Sequence, residues 1–109
     1  MKTKPVIPRE RAVRDVEEIL DYYLAEGAEQ AAMGFIDALE RAYAHIGEHP
    51  STGSLRYAFE LDLPGLHSWP LSGYPYLVVY LAHEEHIDVW PVPDRKRDIP
   101  RWMRELQDS

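Results

Sequence analysis

Four consecutive residues near the C-terminal end, Arg95, Lys96, Arg97 and Asp98, bring three cations and a carboxylate together. Such a run suits contact with an acidic protein surface or with nucleic acid. A solvated, charge-balancing face reads the same way, with Arg97 and Asp98 capping a final helix or pairing with a helix acid. His67 and Trp69 alternate along one strand face, and Trp90 stands on the last strand. An exposed Trp–His cluster is a contact hot spot in chemical terms, although tryptophan also fits a core or half-core position. Two histidine pairs, His45/His49 and His83/His86, have spacings compatible with zinc. Gly47 and Pro50 place the first pair across a helix end, and Glu84 and Glu85 make the second a polar turn. The spacing therefore argues for no metal. Ser68 and Ser72 lack the flanking glycines of a nucleophile elbow, and no glycine-rich loop is present to cradle a phosphate. No cofactor is implied.

Composition narrows the chemistry further. The chain has 109 residues, the size of one domain, and no cysteine. That excludes disulfides, thiolate metal sites and a thiol nucleophile. The net charge of −7 disfavours non-specific binding to nucleic acid. Charge is uneven: residues 10–48 hold ten acids against three bases, while residues 94–104 hold five bases against two acids. The start, MKTKPVIPRER, has no apolar signal core, and no stretch approaches a bilayer span. The expectation is a soluble cytoplasmic protein with no membrane association.

The elements that must position these residues follow from periodicity. Residues 76–82 form a nearly unbroken apolar run, rich in β-branched and aromatic types, that fits a central strand covered on both faces. The HEEH turn at 83–86 ends it, and residues 86–92 make a further strand in which Pro91 forces a bend or lies on an unpaired side. Val6 and Ile7, between two prolines, suit a short edge strand. Val13, Val16, Ile19, Leu20, Tyr23 and Leu24 stripe a helix over residues 9–26, stopped by Gly27. Ala32, Phe35, Ile36, Leu39, Ala42, Tyr43 and Ile46 stripe a second helix over 28–46, with Gly47 as its stop. The minimal link makes the two an antiparallel αα-hairpin. Leu55, Tyr57, Phe59, Leu61 and Leu63 alternate with other residues, which predicts a half-buried strand. Pro64-Gly65 and Ser72-Gly73 then bracket a strand at 66–71. Asp98, Pro100 and the apolar Ile99, Trp102, Met103 and Leu106 suit a short final helix over 99–106. The fold class is α+β: a short N-terminal strand, an αα-hairpin on one face of a mainly antiparallel curved sheet (β-α-α-β-β-β-β), and a short C-terminal helix, in a single domain over 1–109.

In this order the motifs resemble the ParE/RelE toxin superfamily of type II toxin–antitoxin modules, closest to the ParE branch. Helix one carries Ala12, Asp15, Val16, Ile19 and Tyr22, similar to the family's A-x-x-D-[LV]-x-x-I-x-x-Y start. HPSTG at 49–53 resembles its P-x-x-G turn, and Leu63-Pro64-Gly65-Leu66 its L-P-G-L-R hairpin. Tyr76-Leu77-Val78-Val79-Tyr80 resembles its Y-x-[IV]-x-Y strand, and VWPVPDRKRDIP at 89–100 its closing V-L-R-V-x-H-x-x-R-D-I pattern. His67 and Pro91 stand where the family has arginines, and Asp94 where it has a histidine. RNA cleavage needs a cationic phosphate cradle and a group of near-neutral pKa, so these departures point away from a nuclease.

The resemblance implies a non-catalytic toxin that binds and inhibits a protein, DNA gyrase, and is neutralised by a ParD-like antitoxin. On that reading His67, Trp69, Trp90, Arg95, Lys96, Arg97 and Asp98 face the target. Tyr22, Tyr23, Tyr43, Tyr57 and Trp69 face the antitoxin, through strand addition or helix docking. The alternatives are a RelE-like ribosome-dependent endoribonuclease using His67, Arg95 and Arg97 as substitute cations, and a toxin fold that has lost toxicity.

Overall fold

The computed structural model describes residues 3–92 and Arg101, and seven elements are formed among residues 3–92. They are β1 (Val6–Pro8), α1 (Glu10–Ala25), α2 (Glu29–Glu48), α3 (Arg56–Leu61), β2 (Leu66–Pro70), β3 (Leu77–Ala82) and β4 (Ile87–Val89). The proposed final helix over 99–106, apart from Arg101, and the run from Asp94 to Asp98 lie outside the described residues.

The helical hairpin forms as its periodicity predicts. Gly27 takes a left-handed φ of 72°. The Ala28 N–H then bonds to the Tyr23 carbonyl at 2.8 Å and the Gly27 N–H to the Leu24 carbonyl at 3.1 Å. This pair of bonds satisfies carbonyls that the end of α1 leaves orphaned. Gly47 does not stop α2, which runs one residue further. A Cβ at Gly47 would sit 2.9 Å from the Lys4 carbonyl oxygen. That glycine lets the chain before β1 lie against the helix, where the Lys4 N–H donates to the Gly47 carbonyl at 3.0 Å.

The sheet order is β1-β4-β3-β2, with β1 parallel to β4 and the other pairings antiparallel. β3 is internal, as its continuous apolar run requires. Alternation along it divides the interior. Val78 and Tyr80 face the hairpin and pack with Phe35, Leu39, Ile46, Ile87 and Val89. Leu77 and Val79 face the other way, with Leu66, Tyr57, Ala58 and Trp90.

That second layer corrects the reading of residues 55–63. The segment is helical from Arg56 to Leu61 rather than extended, so among the described residues three strands follow the hairpin and not four. The Ser54 hydroxyl accepts the Arg56 N–H at 3.1 Å, and Asp62 ends the turn in the left-handed region at φ 53°. Tyr57 and Ala58 are buried, while Phe59 is 81% exposed. A strand would have put Tyr57 and Phe59 on one face; the helix separates them by about 200°.

β4 ends at Val89 and Pro91 lies beyond it, so the proline costs the ladder nothing. The Trp90 N–H still reaches the Val79 carbonyl at 2.8 Å, and the Val92 N–H is taken by the Asp15 carboxylate at 3.0 Å. No described helix is long and apolar enough to cross a membrane.

Candidate partner-binding surface

The register of β2 on β3 fixes where the predicted contact residues go. His67 pairs with Tyr80 and Trp69 with Val78, so both side chains stand on the hairpin side of the sheet. Trp90 falls on the opposite face and is buried in the second core. The three therefore do not form one cluster. His67 is half-buried, stacked on Tyr80 at 5.2 Å, with Nδ1 2.7 Å from the Gly65 carbonyl oxygen. Tyr80 in turn donates to the Pro50 carbonyl at 2.9 Å and accepts the Gly53 N–H at 3.1 Å. Burial raises its pKa, with the Gly53 N–H pulling the other way. His67 thus rests on a ring that ties the 50–53 loop to the sheet.

Trp69 is half-buried and stacks on His45 of α2 at 4.9 Å. The two rings wall an open groove of about 310 Å³ between α2 and β2, floored by Ala38 and Ala42 and edged by Arg41, Pro70 and Ser72. Alanines on the floor keep the helix surface low, which makes room for a side chain from outside. Arg41 is held at the rim by Asp37 at 3.1 Å. The groove is apolar and aromatic with one cation at its edge, the composition of a protein-contact site.

The tyrosines divide by burial. Tyr22 is 59% exposed and packs edge-on to Tyr23 at 5.6 Å. Tyr23 is half-buried in an aromatic cluster with Phe35 and Tyr74. Tyr43 is half-buried on α2, and desolvation pushes its phenol up to about 12, so it stays neutral. Tyr57 is buried in the second core. Tyr57 and Trp90 therefore offer no face to a partner in this state, whereas Tyr22 and Trp69 do.

A polar cluster at the β1–β4 junction was not legible in the sequence, because its members lie 79 residues apart. Arg9 grips Asp88 through two nitrogens at 3.1 and 2.9 Å and covers the Trp90 ring at 4.7 Å. Burial acts to raise the Asp88 pKa, but the Arg9 hydrogen bonds and charge, with a weaker pull from His83, hold it below the usual carboxylate range. The Trp90 indole N–H is buried without a full hydrogen-bond partner, near enough to Asp88 to add to that pull. The ionised carboxylate therefore stabilises the fold above about pH 4, and this contribution is lost as pH falls through the lowered pKa. Asp88→Asn is expected to cost about 1 kcal/mol at neutral pH, a modest figure because the Arg9 side chain is half exposed. The difference from wild type should close in urea titrations as pH falls through that lowered pKa; a gap that persists in strong acid would place the effect in packing.

Of the histidine pairs, His83/His86 stacks with rings 20° from parallel, while His45/His49 is tilted at 48°. His45 and His49 lie 5.2 Å apart and His83 and His86 4.7 Å apart. Among the described residues no group of three His, Asp or Glu side chains is placed to hold an ion.

The antiparallel helical pair on a mixed sheet recurs in a solved structure. A chain of the chromosomal ParDE TA system from P. aeruginosa superposes with a TM-score of 0.68 at 14% identity, over 84% of this chain and 96% of that one. No curated protein sequence matches. The family model for the ParE toxin of the type II toxin–antitoxin system parDE matches residues 6–99. The chain belongs to the ParE toxin family.

Proposed function

We propose that the protein is the toxin of a ParDE-type module, acting in the cytoplasm by binding and inhibiting DNA gyrase and held inactive by a ParD-like antitoxin. Family membership supports the toxin role. The observation that carries the binding mode is the open groove walled by Trp69 and His45. The antitoxin contacts are assigned to Trp69 and Tyr22, with the accessible shoulders of Tyr23 and Tyr43. Target contacts are assigned to His67 and Trp69, together with Arg95, Lys96, Arg97 and Asp98.

Helix docking fits this surface better than strand addition. Ser68, in the middle of the β2 edge, already exchanges both backbone bonds with Ser54, at 2.8 and 2.9 Å. Pro70 follows it and has no N–H to give. At the other edge, β1 is only three residues long and ends in Pro8. Short, proline-bearing edges resist pairing with a further strand.

Induced expression in a bacterium tests the proposal. The expected result is filamentation with a DNA-damage response, relieved by co-expression of a ParD-like antitoxin, and inhibition of gyrase supercoiling by the purified protein. Prompt translation arrest with transcript cleavage would replace the gyrase reading with ribosome-dependent nuclease action. Undisturbed growth would leave a binding protein without toxicity.

A further inference from the structure

Among the described residues, the sheet's last backbone bond beyond β4 runs from the Trp90 N–H to the Val79 carbonyl at 2.8 Å. Pro91, Val92 and Pro93 come next in the chain. Proline has no N–H, so Val92 carries the only backbone donor of this stretch. That donor goes to a side chain. The Asp15 carboxylate of α1, 77 residues away in sequence, accepts it at 3.0 Å.

The helix is built to make this bond. Of the five acids of α1, Glu10, Glu17, Glu18 and Asp21 are exposed, and Asp15 alone is half-buried. Ala12, three residues earlier on the same side of the helix, is fully buried in the core that holds Ile87 and Val89. This side of α1 therefore lies down on the sheet where β4 ends. Arg9, just before the helix, adds a second hold. Its N–H donates to the Val89 carbonyl at 2.9 Å, and its guanidinium covers the Trp90 ring at 4.7 Å.

A carboxylate accepting a backbone N–H makes a charge-assisted bond, roughly twice as strong as a neutral one. It grips the main chain itself, so it fixes a path rather than one side chain. The prolines on either side of Val92 restrict that path further. Each ring fixes its own φ, and a following proline keeps Val92 out of the helical region. Three residues past Val92 the run of Arg95, Lys96 and Arg97 begins.

We propose that Asp15 is a positioning residue for target binding: its bond to Val92 fixes the root of the basic run and so limits where those cations reach. This rests on the function proposed above, in which Arg95, Lys96 and Arg97 meet the target. Asp15 acts through Val92 and not by touching the target. With the bond in place, the arm to Arg95 is three residues long and spans at most about 10 Å. Without it the arm is rooted at Trp90, is five residues long and spans at most about 17 Å. The volume open to Arg95 then rises roughly fivefold, and the effective concentration of the cations at a target site falls in proportion.

Asp15→Ala removes the acceptor, whereas Asp15→Asn keeps a carbonyl oxygen there without the charge. Both variants, checked for folding by circular dichroism, are assayed for inhibition of gyrase supercoiling. Asp15→Ala should inhibit about fivefold more weakly than wild type, and Asp15→Asn should stay within about twofold of it. In a background with Arg95, Lys96 and Arg97 all replaced by alanine, Asp15→Ala should cost nothing more, because it acts through those side chains. A role in stability alone would cost the same in both backgrounds. A second measurement needs no target. The chain has no cysteine, so Arg95→Cys and Glu40→Cys give two unique sites for nitroxide labels read by pulsed dipolar spectroscopy. Asp15→Ala should widen the distance distribution at least about 1.5-fold, and Asp15→Asn should leave it near the wild-type width. The proposal is overturned if Asp15→Ala inhibits like wild type, if its loss persists in the alanine background, if Asp15→Asn is as weak as Asp15→Ala, or if the distribution does not widen. If the wild-type protein leaves gyrase untouched, the gyrase reading fails, and the label widths alone decide whether Asp15 fixes the arm.

Discussion

Phe35→Ala is expected to destabilise the fold by about 3–5 kcal/mol, the range for deleting a fully buried aromatic ring. Phe35 has no exposed surface, and its ring meets Tyr74 at 5.7 Å, Tyr76 at 5.6 Å and Tyr23 at 6.3 Å. It is the point where α1, α2 and the start of β3 converge. The rings around it cannot readily collapse into the vacated space. Tyr74 is tethered by its hydroxyl to the Ala31 carbonyl at 2.8 Å. A Cβ on Gly34 would fall against that same hydroxyl, so the backbone of α2 is already as close as it can come. Small domains have about 5–15 kcal/mol in total, so this one substitution removes a large share. Urea denaturation should give a midpoint at least about 1 M lower with an unchanged slope. The chain's other phenylalanine supplies the contrast: Phe59 is 81% exposed, and Phe59→Ala should stay within about 0.5 kcal/mol of wild type. Similar losses at both positions would mean that the hairpin does not pack on the sheet through Phe35.

The two phenylalanines also mark how far the sequence could be followed. Phe35 stands in a twenty-residue helix, where the apolar stripe repeats over several turns and leaves one reading. Phe59 stands in a six-residue helix, and over so short a window periods of 2 and 3.6 select overlapping positions. Residues 57 and 61 satisfy both. Ala58 breaks the tie, since it is buried where a strand would expose it, but alanine carries too little hydrophobic weight to register. The same limit applies to Gly47. A glycine near a helix end signals a stop by its conformational freedom, yet here it serves a close backbone approach from Lys4, a contact 43 residues distant that no local pattern encodes. Long-range pairing likewise decided the candidate surface. Alternation placed His67 and Trp69 on one face, but only the register of β4 against β3 puts Trp90 on the other. The parallel docking of β1 on β4, which joins Arg9 to Asp88, was legible only as a short strand of undefined partner.

Trp69→Ala is expected to weaken antitoxin binding by about 30- to 100-fold, the loss of about 2–3 kcal/mol that characterises a central aromatic contact. Three features concentrate the effect there. The ring is half-buried, so its orientation is set before binding and little side-chain entropy remains to be lost. His45 stacks on it at 4.9 Å and holds it upright as one wall of the groove. The floor beside it is alanine, so an incoming side chain gains contact with the indole without displacing other atoms. Truncation removes the wall and leaves His45 without its stacking partner, which opens the groove toward β2. Trp69→Phe keeps a planar apolar wall and should recover most of the affinity. Tyr57→Ala is the control for stability, because that ring is buried in the layer beneath the sheet. It should lower the unfolding midpoint while the folded fraction binds antitoxin with unchanged affinity. Calorimetric titration of the purified variants with a ParD-like antitoxin distinguishes these outcomes. Wild-type affinity in Trp69→Ala would move the antitoxin off this groove.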